Sequence, residues 1–571
     1  MIWWAEQPGR AQTERNAIGD LAERSPWLAN VEMRLAGTQL AFDFDLEIGE
    51  RRIPLTLVYH DFFPDVAPSI MARDRQLLSG HQYGPSGELC LEHRPDNWTP
   101  DVTGAMMIES AHRLLSSEDD TGRPAPGDHR TTRAQGMRHS AFRFLFSRDT
   151  LTGLGSLAEG HVAEGEMQEQ DVAGTYVAQL SRIGPADAPM WSETKKRGGD
   201  VRSFPAVVVR APAGGGRASK DFDELKALLW AHGHSSLATD LKDGPDLVGI
   251  VLFDGQRIHV PMVFDEPGAR KLISYDAVFA EADGVRLDPG YELLKSAKVA
   301  IVGCGSVGSK VAVQLARSGV GSFVLVDGDV LSAGNLVRNE LDWRSVGVHK
   351  APALGARLME VNADCTFTAR TNPLGGQESG AMAAATMAAI ETCDLIVDAT
   401  ADPGVFNLCS AIARRAEKPM CWAQVFGGGA GGIVVRLRPR VDPTPPTARQ
   451  RIEAWYAEQG VDWPDDGSVK PYADTGDGGV PLIADDADVT VIASHLSRFA
   501  IDLLARPDAT IFPYPAYVIG LSDRWLFTAP FDVRPIDLGE SDAWGVEPGS
   551  GDIGMLKELL ADLTAGKPDA G

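Results

Sequence analysis

The sequence predicts an α/β protein of several domains, and three observations support that prediction. The chain has 571 residues, which at ordinary domain sizes indicates three or four domains. In its C-terminal half, short buried-strand patterns alternate with helical patterns, as they do in parallel sheets. Near the N-terminus, a helix, a group of strands and a second helix follow one another, which is typical of an α+β domain.

The first predicted domain covers residues 1–120. It opens with a polar helix, and a later helix from Thr103 to Ser116 carries its apolar residues on one face. A loop punctuated by proline, Phe62–Pro68, and a glycine-containing loop lead to Cys90. Residues 117–135 are rich in Gly, Pro and Asp and are interpreted as a linker. The runs with strand composition are Val31–Leu35, Gln39–Leu46 and Arg52–Tyr59.

The second predicted domain, residues 136–285, has an α/β pattern without a recognisable chemical motif. Phe204–Arg210 has the composition of a buried strand, and Asp221–Ala231 that of a helix. Val248–Phe264, with Asp254-Gly255 near its middle, predicts a hairpin closed by a tight turn. The function of this segment stays open at the level of the sequence.

The third predicted domain covers residues 288–540, and residues 541–571 form a final helix and tail. A buried strand, Lys298–Gly303, runs into a glycine-rich loop, a helix and a second buried strand, Ser322–Asp327, which together make a βαβ unit. Residues 438–485 are rich in Pro, Asp and Gly and are predicted to be a long polar loop.

The glycine-rich loop, Gly303-x-Gly305-x-x-Gly308, predicts a nucleotide site. Glycines let the backbone turn tightly and approach phosphate, and the helix that follows offers free N–H groups to an anion. Asp327 ends the next strand, where a carboxylate can accept hydrogen bonds from ribose hydroxyls. A nicotinamide-dependent oxidoreductase and a glycine-rich turn without a ligand are the alternatives at this point.

The residues after Asp327 favour ATP over a nicotinamide. Asp329, Asn335, Arg338 and Lys350 supply a carboxylate, an amide and two cations in quick succession. Arg and Lys neutralise the charge on ATP phosphates, and Mg²⁺ held by a carboxylate shares that task. Solvated surface charge is the alternative for Arg338 and Lys350 taken singly.

Residues from about 290 to 440 resemble the ThiF/MoeB/ubiquitin-activating adenylyltransferase family. The matching motifs are Gly303–Ser309, Leu325–Val330, Asn335–Arg338, Val346–Lys350, Asn362 and Asp398–Thr400. The resemblance implies a Rossmann-like fold, ATP and Mg²⁺ as cofactors, and adenylation of the C-terminal glycine of a small ubiquitin-like protein. It further implies a homodimer, and it makes an inactive adenylation-like domain one interpretation of residues 136–285, beside an α/β linker domain.

The same resemblance implies roles for individual residues. The loop glycines and Asp329 belong to the nucleotide site, Asp327 binds ribose, and the phosphates are held by Asn335, Arg338 and Lys350. The family's metal-binding string, Asp-x-Thr-Asp, reads Asp398-Ala-Thr-Ala-Asp402 here. Asp402 is therefore preferred over Asp398 as the Mg²⁺ ligand.

Cys90 follows a glycine turn in Gly87-Glu-Leu-Cys90, and His81 and His93 lie nearby in the sequence. A thiolate attacks activated acyl groups, and a histidine can lower the pKa of the thiol or move protons. A buried structural cysteine is the alternative.

Residues 1–118 resemble a ubiquitin-conjugating domain. The matching pieces are Phe63-Pro64…Pro68, the Gly-x-x-Cys90 site and Trp98-x-Pro100. The resemblance implies that Cys90 carries the ubiquitin-like protein as a thioester. The family's His-Pro-Asn motif reads His81-Gln82-Tyr83 here, so the oxyanion-stabilising role stays open among His81, His93 and Asn97.

The order of these domains is similar to that of fused enzymes in bacterial CBASS antiphage operons and related ubiquitination-like operons. That similarity implies a target protein, a JAB-type deconjugating peptidase as partner, and a role in antiphage defence. Related activating enzymes carry a cysteine in their crossover loop, but no cysteine lies beyond Cys421. The adenylate is expected to pass directly to Cys90, or to a hydroxyl such as Thr475, unless the loop is merely structural.

The composition of the chain excludes several classes of function. A formal net charge of −25 argues against a nucleic-acid partner. No apolar run approaches membrane-spanning length, and no signal peptide is recognisable. The six cysteines form no CxxC pair, so neither zinc nor a disulfide framework is suggested and a cytoplasmic location is expected. Sulfur-carrier activation and a degenerate binding scaffold remain as alternatives.

Overall fold

A computed structural model describes residues 2–74, 78, 82–83, 87–95, 97–117, 141–194, 200–213, 219, 221–242, 246–266, 269–280, 288–376, 379–460, 484–545 and 552–565. The chain divides into two compact units, Met1–Ser140 and Ala141–Gly571. The boundary falls close to the predicted start of the middle domain at residue 136. The second unit contains two separate sheets.

The first unit is an antiparallel sheet of six strands in the order β1-β2-β3-β4-β6-β5, with helices before and after it. Its helices are α1 Trp3–Glu6, α2 Pro8–Arg24 and α3 Gly104–Ser117. Its strands are β1 Leu28–Ala36, β2 Gln39–Ile48, β3 Arg51–Val58, β4 Ser69–Ala72, β5 Gln82–Tyr83 and β6 Glu88–Leu89. The order of helix, strands and helix agrees with the sequence prediction.

A buried carboxylate joins the helices of this unit. Glu14 on α2 is fully buried and accepts hydrogen bonds from the Tyr59 hydroxyl and the Gly104 backbone N–H, both at 2.6 Å. Arg10 supplies the counter-charge at 2.8 Å. Burial, together with the neighbouring Glu14 carboxylate, raises the pKa of Tyr59 well above its usual value. The start of α3, which follows the Cys90 loop, is therefore fixed to α2.

The second sheet closes on itself. β9 pairs with β8 along one side and with β7 along the other, and β8 continues through β11, β12, β13 and β14 back to β7. Its strands are β7 Phe142–Phe146, β8 Val162–Val172, β9 Thr175–Ile183, β10 Trp191–Ser192, β11 Arg202–Arg210, β12 Leu247–Phe253, β13 Ile258–Glu266 and β14 Ala269–Phe279. The accompanying helices are α4 Arg148–Gly155, α5 Phe222–Ala231 and α6 Ser235–Asp240.

This ring of strands mixes parallel and antiparallel pairs. The predicted hairpin is present as β12 and β13, and the predicted strand and helix at 204–210 and 221–231 are also present. The topology differs from the largely parallel sheet that follows. The choice between a linker domain and an inactive adenylation-like domain for residues 136–285 stays open.

The third sheet has the order β17-β16-β15-β18-β19-β20-β21-β22. Its strands are β15 Lys298–Val302, β16 Ser322–Val326, β17 Thr366–Arg370, β18 Leu395–Asp398, β19 Met420–Val425, β20 Gly431–Leu437, β21 Ala516–Gly520 and β22 Val533–Ile536. Its helices are α7 Ser306–Ser318, α8 Lys350–Val361, α9 Gly380–Glu391, α10 Pro403–Arg415, α11 Pro445–Glu458 and α12 Asp486–Ala505, and α13 Asp552–Ala565 follows. Short 3-10 helices lie at Pro289–Ser296, Ala333–Val337, Trp343–Ser345 and Gly427–Gly429.

The parallel half of this sheet, from β17 to β19, creates the crevice for the site. The chain starts at β15, moves outward through β16 and β17, and then returns to β18 on the other side of β15. Ligands of doubly wound sheets bind where the strand order reverses, beyond the carboxyl ends of the strands. The glycine-rich loop leaves β15 at that point.

Two sequence predictions differ from the structure in this sheet. Residues 438–485 were predicted as a polar loop, but Pro445–Glu458 is a helix whose Ala448 and Ile452 are buried four positions apart. Proline at its first position suits a helix start, which explains how a Pro-rich segment contains one. The sequence also predicts a closing strand at residues 529–534, whereas β22 begins at Val533.

Candidate nucleotide site and the Cys90 loop

Three glycines shape the loop between β15 and α7. Gly303 adopts a left-handed conformation with φ +88°, which glycine reaches without strain. A methyl group on Gly308 would overlap the Gly303 carbonyl oxygen and lie 3.1 Å from the Ala399 side chain. Gly305 is different, because a methyl group there meets nothing within 4 Å. Two of the glycines therefore close the turn, and the third leaves space in front of the loop for a ligand.

Asp327 holds this loop from the end of β16. Its carboxylate accepts hydrogen bonds from the backbone N–H groups of Cys304 at 2.7 Å and Asp329 at 2.8 Å. Burial raises the pKa of the Asp327 carboxyl, while the two backbone donors act in the opposite direction. The structure thus gives Asp327 a part in shaping the loop, and its ribose contact stays a prediction.

Lys350 begins α8 and lies beside Asp329. Its ammonium is 2.8 Å from the Asp329 carboxylate, and its backbone N–H donates to the Asp329 carbonyl at 2.9 Å. The lysine side chain is 10% exposed, whereas the aspartate side chain is 75% exposed. The two predicted site residues are therefore brought together, with the cation covered and the carboxylate facing solvent.

Asn335 and Arg338 lie at the two ends of a short turn that follows β16. The Asn335 side-chain oxygen accepts hydrogen bonds from the N–H and hydroxyl of Ser332, both at 3.0 Å. Arg338 follows the 3-10 helix and is half-buried. The next residue, Asn339, donates its side-chain amide to the Cys304 carbonyl at 3.2 Å. This contact brings the Arg338 segment up to the glycine-rich loop.

The two predicted metal ligands have different environments. Asp398 ends β18, is buried, and accepts from the Thr400 N–H at 3.0 Å and from its hydroxyl at 2.6 Å. Burial raises the pKa of the Asp398 carboxyl. Asp402 is exposed and caps α10 by accepting from the Val405 N–H at 2.9 Å. The choice of Asp402 over Asp398 as the Mg²⁺ ligand stays a prediction.

A cavity of about 440 Å³ lies beside these carboxylates, between the ends of β18 and β19 and helix α11. Both aspartates line it, together with aromatic side chains such as Trp422. Arg449 of α11 is 3.3 Å from Glu453 and lies over the Phe406 ring at 5.1 Å. A cavity of this volume has room for a small group of atoms. Within the described residues, no group of three or more His, Cys, Asp or Glu side chains is arranged to hold a metal ion alone.

The Cys90 loop is built by polar contacts around Asn97. The Asn97 side chain accepts from the Arg94 N–H at 2.6 Å and donates to the Glu92 carbonyl at 2.8 Å. The Trp98 indole N–H donates to the Pro64 carbonyl at 2.7 Å, which ties this loop to the proline-punctuated loop. Asn97 therefore has a structural part in the loop, and its oxyanion role stays a prediction.

Cys90 differs from the other cysteines in exposure. It is half-buried, whereas the other five cysteines are buried. Burial raises the pKa of the Cys393 thiol to about 11 and raises that of the Cys304 thiol well above its usual value. His93 is half-buried near Cys90 in the sequence, while His81 and Thr475 lie outside the described residues.

One buried lysine was not singled out from the sequence. Lys310 lies on α7, and its ammonium is 2.7 Å from Asp486 and 3.4 Å from Glu340. Its position among apolar residues of a buried helix is a usable signal, because buried lysines need partners. The partners themselves are distant along the chain and were not predictable.

Known proteins resemble parts of this chain. Residues 281–449 match the model of the ThiF family. The uncharacterized protein y4oA of Sinorhizobium fredii is 34% identical over 161 residues, which cover 26% of this chain and 27% of that protein. The uncharacterized protein y4qC of the same organism is 26% identical over 456 residues, covering 72% and 75% of the two chains.

A third relative has a name that describes an activity. The ATP-dependent ubiquitin transferase-like protein Cap2 of Enterobacter hormaechei is 36% identical over 125 residues, covering 22% of this chain and 20% of that protein. The alignments thus span about a quarter of y4oA and a fifth of Cap2.

No helix among the described residues is both long and apolar enough to cross a membrane. The segment that matches the ThiF model contains the glycine-rich loop, Asp327, Arg338, Lys350 and Asp402.

Proposed function

We propose that this chain uses ATP to adenylate the C-terminal carboxylate of a ubiquitin-like protein and then carries that protein on Cys90 as a thioester. The observation that supports the proposal most strongly is the loop at Gly305, which has open space in front of it and two cationic residues, Arg338 and Lys350, nearby in the same domain. Such a loop provides N–H donors for phosphate. The name of Cap2 agrees with this chemistry.

In the first step, a carboxylate oxygen of the ubiquitin-like protein attacks the α-phosphorus of ATP. The new bond is a carboxyl–phosphate anhydride, and pyrophosphate leaves with the electron pair of the broken P–O bond. Arg338 and Lys350 neutralise the charge that develops on the phosphates. Asp402 is the proposed ligand of Mg²⁺, which when bound shares the charge of ATP.

In the second step, the Cys90 thiolate attacks the carbonyl carbon of the acyl adenylate. A thioester forms, and AMP leaves with the electron pair of the carbon–oxygen bond. Cys90 is the cysteine of this chain with the greatest access to solvent. His81 and His93 are the candidates for moving the thiol proton, and Thr475 remains the alternative first acceptor, as an ester.

The resemblance to the fused bacterial enzymes supports the proposed partners and biological setting. A target amine takes the acyl group from Cys90, a JAB-type peptidase reverses the conjugation, and the enzyme is a homodimer in an antiphage system. The activation of a sulfur carrier is the second candidate, since adenylation is common to both functions. A thiocarboxylate on the carrier, in place of a protein conjugate, identifies that second candidate.

The test is to trap the covalent intermediate. The purified chain, ATP, Mg²⁺ and a ubiquitin-like protein that ends in glycine are mixed and separated on gels with and without thiol. We expect a thiol-sensitive adduct that is absent in Cys90→Ala. An adduct that resists thiol but yields to hydroxylamine points to Thr475, and Thr475→Ala checks that. An adduct of normal amount in Cys90→Ala contradicts the assignment of Cys90.

A further inference from the structure

Lys310 is a charged residue at the centre of the nucleotide-binding region. It lies on α7, one turn after the glycine-rich loop, and its side chain is 3% exposed. The neighbouring α7 residues Gly308, Ser309, Val311 and Ala312 are buried as well. An ammonium is costly to bury unless it is paired, so its partners carry information about its role.

The partners come from two different segments. Asp486 Oδ1, at the start of α12, is 2.7 Å from Lys310 Nζ. Glu340 Oε1, in the segment after β16, is 3.4 Å from the same nitrogen. Both carboxylate side chains are partly exposed, at 53% for Asp486 and 29% for Glu340. Lys310 thus connects three chain segments with one buried charge.

Glu340 lies two residues after Arg338, and the chain between them is held against the loop. The Asn339 side chain donates to the Cys304 carbonyl at 3.2 Å, and the Glu340 N–H donates to the Ser309 hydroxyl at 3.3 Å. With the ion pair between Glu340 and Lys310, three contacts of Asn339 and Glu340 join the segment after Arg338 to the glycine-rich loop and α7. Lys310 therefore contacts the segment that carries Arg338.

We propose that Lys310 is a positioning residue that, through Glu340, holds Arg338 in place for the phosphates of ATP. The inference rests on the proposed ATP site. It concerns a residue that does not contact the nucleotide itself. It predicts that removal of the Lys310 charge weakens ATP binding although no phosphate contact is removed.

A purely structural role for Lys310 predicts a change in the stability of the fold rather than in ATP binding. Apolar residues of similar volume often replace buried ion pairs at no loss of stability, or with a gain, provided that no charge is left buried and unpaired. In Lys310→Met, both carboxylates can turn toward solvent because they are already partly exposed. The fold should therefore survive, and only the arrangement of Arg338 should suffer.

The experiment compares ATP binding with Mg²⁺ by calorimetry, and thermal unfolding without nucleotide, in five full-length proteins. These are the wild type, Lys310→Met, Arg338→Ala, the double variant, and the control Lys295→Met. Lys295 is paired with Glu292 at 2.7 Å, but it is exposed. We expect Lys310→Met to raise the Kd for ATP about tenfold, as for loss of a charged hydrogen bond. We expect the control to stay within about twofold of the wild type.

The double variant decides between positioning and an independent effect. If Lys310 acts through Arg338, the double variant binds ATP no more weakly than Arg338→Ala, whereas independent effects multiply. A Kd for Lys310→Met equal to that of the wild type overturns the inference, and so does a multiplied loss in the double variant. If Lys310→Met does not fold, Glu340→Gln tests the same link and should raise the Kd similarly.

A failure of the proposed function gives a different experimental result. If the proposed function is wrong, the wild type itself does not bind ATP, and the positioning role of Lys310 is then also wrong. When the wild type binds ATP and Lys310→Met binds equally well, the proposed function stands and only the positioning role is lost.

Discussion

The open space at Gly305 makes a prediction that separates ligand binding from folding. Gly305 caps α7 with an ordinary φ of −76°, and a methyl group there has nothing within 4 Å. Serine is a preferred residue at this helix position because its hydroxyl can accept from the first free N–H groups. Gly305→Ser should therefore be accepted by the fold. According to the proposed function, the new side chain fills the space that a phosphate would occupy.

The expected magnitudes follow from these contacts. Without nucleotide, the free energy of unfolding of Gly305→Ser should stay within about 0.5 kcal/mol of the wild type. Its affinity for ATP should fall at least about tenfold, or about 1.4 kcal/mol. Gly308→Ala, in contrast, overlaps the Gly303 carbonyl and should destabilise the fold itself by about 1–3 kcal/mol.

The assay needs two measurements on each protein. Urea unfolding without nucleotide reports the fold, and calorimetry with ATP and Mg²⁺ reports the site. Gly380→Ser is a matched control, since Gly380 opens α9 and also has nothing within 4 Å of an added methyl group. We expect that control to leave both quantities unchanged.

One result refutes the reasoning directly. If Gly305→Ser binds ATP as tightly as the wild type and is equally stable, the phosphates do not lie against this loop. A loss of stability in Gly305→Ser as large as in Gly308→Ala would show instead that the space is needed by the apo fold.

Three further predictions follow from the structure. Burial lowers the pKa of His259 to about 4 from an ordinary 6.5, so the contribution of the neutral imidazole to stability is complete above pH 6.5 and is lost as the pH falls toward 4. Between pH 7 and 4.5, the free energy of unfolding in urea should therefore fall by about 2 kcal/mol more for the wild type than for His259→Gln. Equal losses in the two proteins would contradict this prediction. Asp402→Asn should weaken the Mg²⁺ dependence of ATP turnover more than Asp398→Asn weakens it, as measured by Mg²⁺ titration, and the reverse order would favour the buried carboxylate. Cys90→Ser should give an adduct that survives thiol but not hydroxylamine, because an oxygen ester replaces the thioester, and a thiol-sensitive adduct would exclude position 90 as the acceptor.

The part of the fold around the glycine-rich loop was largely predictable because its signals are local. Buried strands, glycine spacing and the acid at the end of the second strand all lie within one βαβ unit. The prediction of a loop at residues 445–458 was wrong because it also relied on local signals. Two prolines and several polar residues give this segment the composition of a loop, although it forms a helix that buries only a narrow face. The closed ring of the middle sheet depends on β9 pairing with both β8 and β7, which no local pattern specifies.

In the candidate site, too, the residues were predictable from local patterns, whereas their contacts with distant parts of the chain were not. Asp329 and Lys350 were predicted as site residues, but their pairing depends on how the chain returns from β16 to α8. Asp327 was predicted to face a ligand, and only the structure reveals its hydrogen bonds to the loop. The partner of Lys310 was not predictable, because Asp486 lies on α12, which comes much later in the chain.

Pyrophosphate exchange tests the central claim most directly. Labelled pyrophosphate, ATP, Mg²⁺ and a ubiquitin-like protein that ends in glycine are incubated with the chain, and the label that enters ATP is counted. Reversible adenylation predicts exchange that requires the C-terminal glycine of the ubiquitin-like protein and is lost in Arg338→Ala. The absence of exchange, together with tight binding of NAD(H) by the same chain, would contradict the account and favour an oxidoreductase.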